Sequence, residues 1–490
     1  MSAVAHSHKR ESRRRWLALF VVCLAMLMNV LDLTVVNVAL PKIQHDLHFT
    51  QAGLAWVIDA YMVAFGGFLL MSGRLGDLIG RKKVFLVGLG IFTAASLVCG
   101  LASSQGVLIG ARFVQGLAGS LSTSVILAII ATEFTDPGER AKAMSAYIFV
   151  AVGGGSIGLI AGGLITQALN WHWIFFINLP IGGVALVLGA LLVRENAGLG
   201  WRQGVDVLGS LLVTGGLMLL VYAIVKSTEY GLGAAQTLGY GGLALALSAG
   251  FVVLESRLRN PIMPLRIFAV RGLASSSLIR SCLFVGMYGV FFLGTLYLEH
   301  VLHYGALRTG LSFLPMTLVV ATMSMGVTAR LVTAYGPRRV ALPGILCVVV
   351  AVGLLSQVSV HGSFFPLMFF AFALMGLGMG TASVPLLTLA MAHVPAKDAG
   401  LASGVVNVSM QVAGALGVAV LSTISTDRTR TLAHLGHTLP SALTGGYQVA
   451  FIVAAGTAAA AFLLALTVVR SPRRAQEEPA REGTPAGAEA

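Results

Sequence analysis

The chain has 490 residues, 57% of them hydrophobic and only 10% charged, against roughly 25% charged residues in an ordinary soluble domain. That balance excludes a soluble globular protein. The formal net charge of +13 does not point to nucleic acid either, because the basic residues are scattered through short segments with no basic domain to hold a duplex.

Apolar runs of about 20 residues recur along the chain, each long enough at about 1.5 Å per residue to cross about 30 Å of hydrocarbon. Fourteen are expected, near 16–40, 52–72, 84–103, 107–130, 144–167, 171–193, 206–225, 237–255, 272–298, 309–330, 341–359, 365–391, 399–423 and 447–469. With the amino terminus inside, most of the 32 Lys and Arg residues fall on the inner side, and the outer loops hold Lys42, Lys226, Arg308, Arg428 and Arg430. The positive-inside rule therefore predicts that both termini are cytoplasmic. The basic start does not read as a cleaved signal peptide, because the run behind it is too long and thirteen more follow. Cys23, Cys99, Cys282 and Cys347 lie within apolar runs without metal or redox spacing, so packing is their expected role.

The first run, after a basic segment at 1–15, contains Asp32 in NVLDLTVVNVALP. An ionised carboxylate in a membrane is costly and is expected to face the bundle interior with a partner. Counting from Trp16, Asp32 lies about 24 Å from the inner face, while Arg112 in the fourth run lies about 7 Å below the outer face and Asp59 in the second about 12 Å. Three charges on three helices are thus expected to share a layer, where pairing offsets desolvation and protonating a carboxylate would release the arginine.

After the second run comes GRLGDLIGRKKV (Gly73 to Val84), and a related stretch, ARLVTAYGPRRV, occupies Ala329 to Val340. Their placement predicts an internal repeat: an amino-terminal six-helix bundle at 16–193, an inserted helix pair within 194–271, and a carboxy-terminal six-helix bundle at 272–469. Such parallel repeats are a transporter architecture with the substrate site between the halves. The first loop, with Gly73, Asp77, Gly80 and Arg81, is a candidate gating latch, whereas the second carries Thr333 in place of Asp77. The fifth run, GGGSIGLIAGG, spaces Gly154, Gly158 and Gly162 four residues apart, with Gly163 beside them, a smooth face for close helix packing.

Trp171 and Trp173 open the sixth run, with Asn178 further on, and read as interfacial anchors. Arg280 in the ninth run is expected to snorkel or to bond carbonyls. Asn37, Gln115, Glu299 and Gln411 are candidate substrate-cavity groups. His300 and His303 do not make a metal site, and no Walker loop, catalytic triad or metal signature occurs. Neither an enzyme nor an ATP-driven pump is expected. The tail at 470–490 is rich in Pro, Arg, Glu and Ala and reads as disordered.

The stretches LDLTVVNVALP, GRLGDLIGRKK, LIGARFVQGLAG, WHWIFFINLPIG and VPAKDAGLASGVVN, in this order, resemble the signatures of the fourteen-span drug:proton antiporters of the major facilitator superfamily. The resemblance implies an all-α integral membrane protein with the major-facilitator fold, two six-helix bundles plus two inserted helices. It implies export of lipophilic, in part cationic, drugs or antibiotics across the cytoplasmic membrane, driven by the proton gradient with no cofactor. The implied partners are a small lipophilic molecule, protons and the bilayer, with no nucleic acid and no ATP.

In that family the span-one acid and span-four arginine, here Asp32 and Arg112, are tied to proton coupling, and the span-five glycines mark exporters. Departures from the pattern are Leu159 where a proline is usual, His172 between the tryptophans in place of Arg, and Glu299 in place of Gln. The alternatives are a uniporter or importer of a small metabolite and, from another class, a membrane sensor or scaffold.

Overall fold

A computed structural model of the chain describes residues 2–195, 198, 206–231, 233–258, 261, 263, 265–270, 272–394 and 399–468. The described elements are helical. The first group comprises α1 (Ser2–Asp46), the short α2 (Gln51–Leu54), α3 (Trp56–Ile79), α4 (Arg81–Gly100), α5 (Gln105–Glu133), α6 (Pro137–Ala168), the short α7 (Trp173–Phe176) and α8 (Asn178–Leu192). A pair follows, α9 (Val207–Tyr230) and α10 (Ala235–Arg257). The second group comprises α11 (Leu273–His300), α12 (Ala306–Ser312), α13 (Leu314–Thr322), α14 (Thr328–Tyr335), α15 (Pro337–Leu355), α16 (Phe369–Met391), α17 (Ala399–His434) and α18 (Leu439–Val468).

Among the described residues, 12 helices are long and apolar enough to cross a membrane, and two shorter apolar stretches, Ile157–Ala168 and Ala306–Thr322, lie where the fifth and tenth runs were expected. The chain is a multi-pass helical membrane protein. The tenth run is not one continuous α-helix: a π-type turn at Met323–Val327 separates α13 from α14. The tail at 470–490 and Lys397 of VPAKDAGLASGVVN lie outside the described residues.

Local chemistry sets the helix ends. Thr50, Ser104, Asp136 and Asp206 cap α2, α5, α6 and α9, each side-chain oxygen accepting from a backbone N–H three residues on, which satisfies one of the orphan donors of a first turn. Gly80 (φ +106°) and Gly336 (φ +84°) make the tight links from α3 to α4 and from α14 to α15. A side chain at either position would be strained.

The two links match in another way. Lys82 Nζ donates to the Ala190 carbonyl at 2.7 Å, in the last turn of α8. Arg338 Nη2, its counterpart, donates to the Leu466 carbonyl at 2.9 Å, in the last turn of α18. Each cation meets the negative end of a helix dipole, so the sequence repeat corresponds to a repeated three-dimensional contact.

In the first group α1 packs on α6 and α8, and α5 on α3 and α4. In the second, α11 packs on α16, α17 and α18, and α15 on α16 and α18. The groups meet along two seams. On one, α3 lies against α17, and α9 packs on both. On the other, α6 lies against α12 and α13.

Candidate functional site

Asp32 sits on α1, 1% exposed, in the interior of the first group. Its Oδ2 accepts a charge-assisted hydrogen bond from Arg112 Nη1 of α5. Its Oδ1 accepts from Gln115 Nε2 at 3.1 Å and from Asn178 Nδ2 of α8 at 3.2 Å. Arg112 is 0% exposed. It also donates through Nε to the Val57 carbonyl at 3.0 Å and through Nη1 to Gln115 Oε1 at 3.0 Å, and its guanidinium lies 4.5 Å from the Tyr61 ring centroid.

Around them Ser96 Oγ accepts from Gln115 Nε2 at 2.8 Å and from Asn178 Nδ2 at 3.3 Å, while Cys99 Sγ donates to Gln115 Oε1 at 3.0 Å. Burying two ions costs several kcal/mol each, and such a pair persists only where further hydrogen bonds saturate it. Here helices α1, α3, α4, α5 and α8 all contribute. The arrangement can hold one proton in place of an ion pair, because a protonated Asp32 still has Gln115 and Asn178 beside it while Arg112 keeps the Val57 carbonyl.

The close packing that fixes this site comes from glycines. A Cβ at Gly116 would stand 2.2 Å from the Tyr61 carbonyl oxygen, and one at Gly119 2.9 Å from the Tyr61 hydroxyl and 3.0 Å from Asn29 Oδ1. Helix α5 therefore approaches α3 at backbone distance, which lets a short guanidinium reach cross the gap to Val57.

Asp59 does not join this pair. It is 0% exposed, and both carboxyl oxygens are buried without a hydrogen-bond partner among the described residues. A Cβ at Gly66, two turns along α3, would meet Gln411 Cβ at 3.3 Å and Val412 at 3.6 Å. At 3.6 residues per turn Asp59 shares that face and points at the α3–α17 seam. Depth along the helix matched Asp32; azimuth did not.

The other residues singled out by sequence fall in separate places. Asn37 turns back on its own helix, Nδ2 donating to the Leu33 carbonyl at 2.7 Å. Gln411 Oε1 accepts from Tyr288 OH of α11 at 3.1 Å. Glu299, in the last turn of α11, has its Oε1 buried, with Thr309 of α12 beside the carboxyl and Lys42 of α1, which donates to the Thr166 carbonyl, within its electrostatic range.

Gly154 faces Leu27 and Val30, Gly158 faces Thr34, and Gly162 faces Val35, all on α1. Gly163 turns to the second group, where a Cβ would stand 2.7 Å from Leu307 Cα of α12. At that seam Gly310 of α12 in turn meets the Leu159 carbonyl, 2.3 Å from where its Cβ would be.

At the α3–α4 link, Arg81 Nη2 donates to Asp77 Oδ1 at 3.2 Å and Nη1 reaches the Ala128 carbonyl of α5 at 3.5 Å. Gly73 lies against Ser124 of α5, where an added Cβ would stand 3.9 Å from the Ser124 Cβ. In the second copy Thr333 Oγ1 donates back to the Arg330 carbonyl at 2.8 Å. The acidic member is missing, and so is any counterpart of the Asp77–Arg81 pair.

Three readings of the sequence need correction. Trp171 is not an interfacial anchor: it is 1% exposed, stacks on His172 with centroids 3.7 Å apart, and donates Nε1 to Asp46 Oδ2 at 2.9 Å. Trp173, 47% exposed, keeps an anchor's exposure. Burial pulls the His172 pKa below the ordinary imidazole value, with the Asp46 carboxylate opposing the shift.

Cys99 does more than pack, since it bonds Gln115. Arg280 neither snorkels to the surface nor bonds carbonyls among the described residues: it is 8% exposed and its Nε is buried without a partner. Sequence reasoning also passed over Asn178, Ser96 and Tyr61 as parts of the Asp32 site. Asn178 carried a signal, an amide in the apolar stretch FFINLPIG. Ser96 and Tyr61 carried none, because a lone hydroxyl in a membrane helix normally bonds its own backbone.

The family model for the Major Facilitator Superfamily matches residues 22–418. The chain is 37% identical to the puromycin resistance protein pur8 of Streptomyces alboniger, over 95% of this chain and 93% of that protein. It is 34% identical to the cephamycin export protein CmcT of Amycolatopsis lactamdurans, over 92% and 91%. It is 31% identical to the tetracenomycin C resistance and export protein of Streptomyces glaucescens, over 87% and 79%. Among solved structures, the POT family transporter PepTSo superposes with a TM-score of 0.66 at 14% identity, covering 93% of this chain and 98% of that one. A bacterial homologue of the lysosomal transporter Spinster, inward-facing and unoccupied, gives 0.65 at 17% identity over 93% and 98%. At these identities the structures speak to fold alone.

Proposed function

The chain belongs to the Major Facilitator Superfamily, and from that premise we propose that it is a proton-coupled antiporter exporting lipophilic, drug-like compounds by alternating access. The observation that carries the reading is the sealed Asp32–Arg112 pair with its Gln115 and Asn178 ligands. A structural ion pair would serve as well if replaced by apolar groups, so its retention in the core favours a group that must change charge. The activities for which three relatives are named, resistance to puromycin and export of cephamycin and tetracenomycin C, support export of antibiotic-like molecules.

The two helix groups are the rocking halves, α9 and α10 are the inserted pair, and α6 and α12–α14 supply the two further spans that bring the count to fourteen. The end carrying Gly80 faces the cytoplasm with both termini, since Lys82, Lys83, Arg140, Arg338 and Arg339 cluster at the helix links there. The seam between α6 and α12, where Gly163 lies against the Leu307 backbone and Gly310 against the Leu159 carbonyl, then closes the outer end.

Protonating Asp32 from outside weakens its hold on Arg112, and the proton leaves to the cytoplasm when the pair reforms. Asp59, whose carboxyl is buried without a hydrogen-bond partner among the described residues, is a second carrier at the seam between the halves. Asp77 and Arg81 act as the gating latch. Gly154, Gly158, Gly162 and Gly163 let α6 slide against α1 and α12, and Asn37, Gln115, Glu299 and Gln411 are cavity groups.

The test is Asp32→Asn, expressed beside the wild type in a pump-deficient bacterium and assayed in everted vesicles. Wild-type vesicles should release an imposed proton gradient when a transported antibiotic is added, and a protonophore should abolish uptake. The variant should insert to the same level and do neither. Full coupled activity in the variant would reject the mechanism, and uptake indifferent to the protonophore would favour a uniporter.

A further inference from the structure

Arg280 lies seven residues into α11, about 10 Å along the helix from Leu273 at about 1.5 Å per residue. Its side chain has no hydrogen bond or ion pair among the described residues, and its Nε is buried. One turn before it on the same helix, Ser277 is 4% exposed and its Oγ is likewise buried without a partner. A hydroxyl and the Nε of a guanidinium, which does not lose its proton in proteins, are thus buried one turn apart on one helix without a hydrogen-bond partner among the described residues. An uncompensated buried cation is among the costliest features a membrane interior can hold.

What lies beyond them on α11 defines the rest of a site. At 100° per residue, Arg280, Phe284, Met287, Tyr288 and Phe291 fall within one sector of the helix. Phe284 and Tyr288 are in ring contact, centroids 6.1 Å apart, and Phe284, Met287 and Tyr288 are only half buried. The sector also reaches the junction of the two helix groups. Tyr288 and Met62 of α3 both converge on Gly414 of α17, where an added Cβ would meet Met62 Cε at 2.3 Å and Tyr288 Cδ2 at 2.6 Å.

We propose that Arg280 and Ser277 bind the acidic oxygen of an amphiphilic substrate whose aromatic body lies along Phe284, Met287 and Tyr288. The chemical class is an aromatic or fused-ring compound carrying a carboxylate or comparable anionic group. Guanidinium and carboxylate match in geometry as well as charge, and a stripe of aromatic and thioether side chains accommodates flat apolar bodies of varied outline. This deepens the export reading and rests on it only for what the bound compound does next.

The test separates the two. The full-length protein, in nanodiscs of phosphatidylcholine, is titrated with 1-pyrenebutyrate and with its neutral primary amide. The wild type should bind the carboxylate about tenfold more tightly than the amide, Arg280→Gln should remove that preference without weakening the amide, Arg280→Lys should keep part of it, and Ser277→Ala should lower it about threefold. Equal binding of the two probes by the wild type, no binding of either, or a preference that survives Arg280→Gln would overturn the assignment.

If Arg280→Gln does not fold, the Lys and Ser277→Ala variants carry the test, and an undiminished preference in both would overturn it. Repeating the titration with phosphatidylglycerol separates a substrate from a lipid headgroup: loss of the preference on adding the anionic lipid would make the lipid the natural occupant and overturn the substrate assignment. Arg280-dependent binding of a probe that everted vesicles fail to move would leave this site standing and defeat the export reading.

Discussion

The two halves repeat a fold but divide the chemistry. In the first half one buried pair of membrane charges is saturated: Asp32, Arg112, Gln115, Asn178 and Ser96 satisfy one another across four helices, while Asp59 stands apart without a hydrogen-bond partner among the described residues. In the second half the interior is held by rings, with Phe313 stacked between Phe291 at 5.1 Å and Phe372 at 4.8 Å and Tyr297 edge-on to Tyr447 at 6.3 Å. The Nε of its buried cation, Arg280, is left without a partner among the described residues. Under the proposed mechanism the duplicated scaffold assigns the proton to one half and the cargo to the other, because equivalent helices need only equivalent packing and not equivalent polar groups.

The comparison breaks first at Arg112. Replacing it by Gln leaves Asp32 buried with two neutral donors, and loss of one member of a buried ion pair costs about 3–5 kcal/mol. Thermal unfolding in detergent should show that loss in Arg112→Gln and recover most of it in the double variant Arg112→Gln/Asp32→Asn, while transport stays absent in both. Asp59→Asn should behave oppositely: it removes no described partner, so stability should hold or rise, and the expected change is in the pH dependence of export. An Asp59→Asn protein that unfolds as readily as Arg112→Gln would mean that Asp59 has a structural partner after all.

The contrast between Asp32 and Asp59 also marks what a sequence can and cannot say here. Apolar run lengths and loop charges made the helical membrane architecture legible, and depth counting placed Asp32 level with Arg112 because rise per residue is nearly constant. Depth counting gives no azimuth, and so it put Asp59 in the same layer without revealing that it points at α17. Azimuth likewise separates Gly163 of α6, which faces α12, from Gly154, Gly158 and Gly162 of the same helix, which face α1. Trp171 was misread and Asn178 passed over for a related reason: near a helix end, burial depends on which neighbour covers the residue, and that neighbour is distant in sequence, Asp46 for one and Asp32 for the other.

A smaller effect should separate contacts within a half from contacts between halves. Alanine at Gly310 would press a methyl group against the Leu159 carbonyl of α6, across the seam, and such overpacking costs about 1–3 kcal/mol. The halves can relieve the strain by parting, so Gly310→Ala should raise the accessibility of cysteines placed along that seam more than it lowers the unfolding temperature. Alanine at Gly116, which would strike the Tyr61 carbonyl within the first half, has no such escape. It should lower the unfolding temperature without exposing the seam, and the reverse pattern would show that the seam is not the softer boundary.

The smallest expected effect tests the repeat itself. Lys82 and Arg338 make the same contact to the last turns of α8 and α18, and each is worth under about 1 kcal/mol. Lys82→Gln and Arg338→Gln should therefore give similar small losses on unfolding. Asp77→Asn should also cost under about 1 kcal/mol, since exposed ion pairs contribute little, yet slow export if the Asp77–Arg81 pair is a latch. Thr333→Asp is the matching test in the second half. Arg81 corresponds there to Pro337, so the new carboxylate has no donor waiting at the matching position, and the substitution should leave the export rate unchanged. An export rate that falls in Thr333→Asp as it falls in Asp77→Asn would mean that both links gate transport, and the division of labour between the halves would not extend to this end of the molecule.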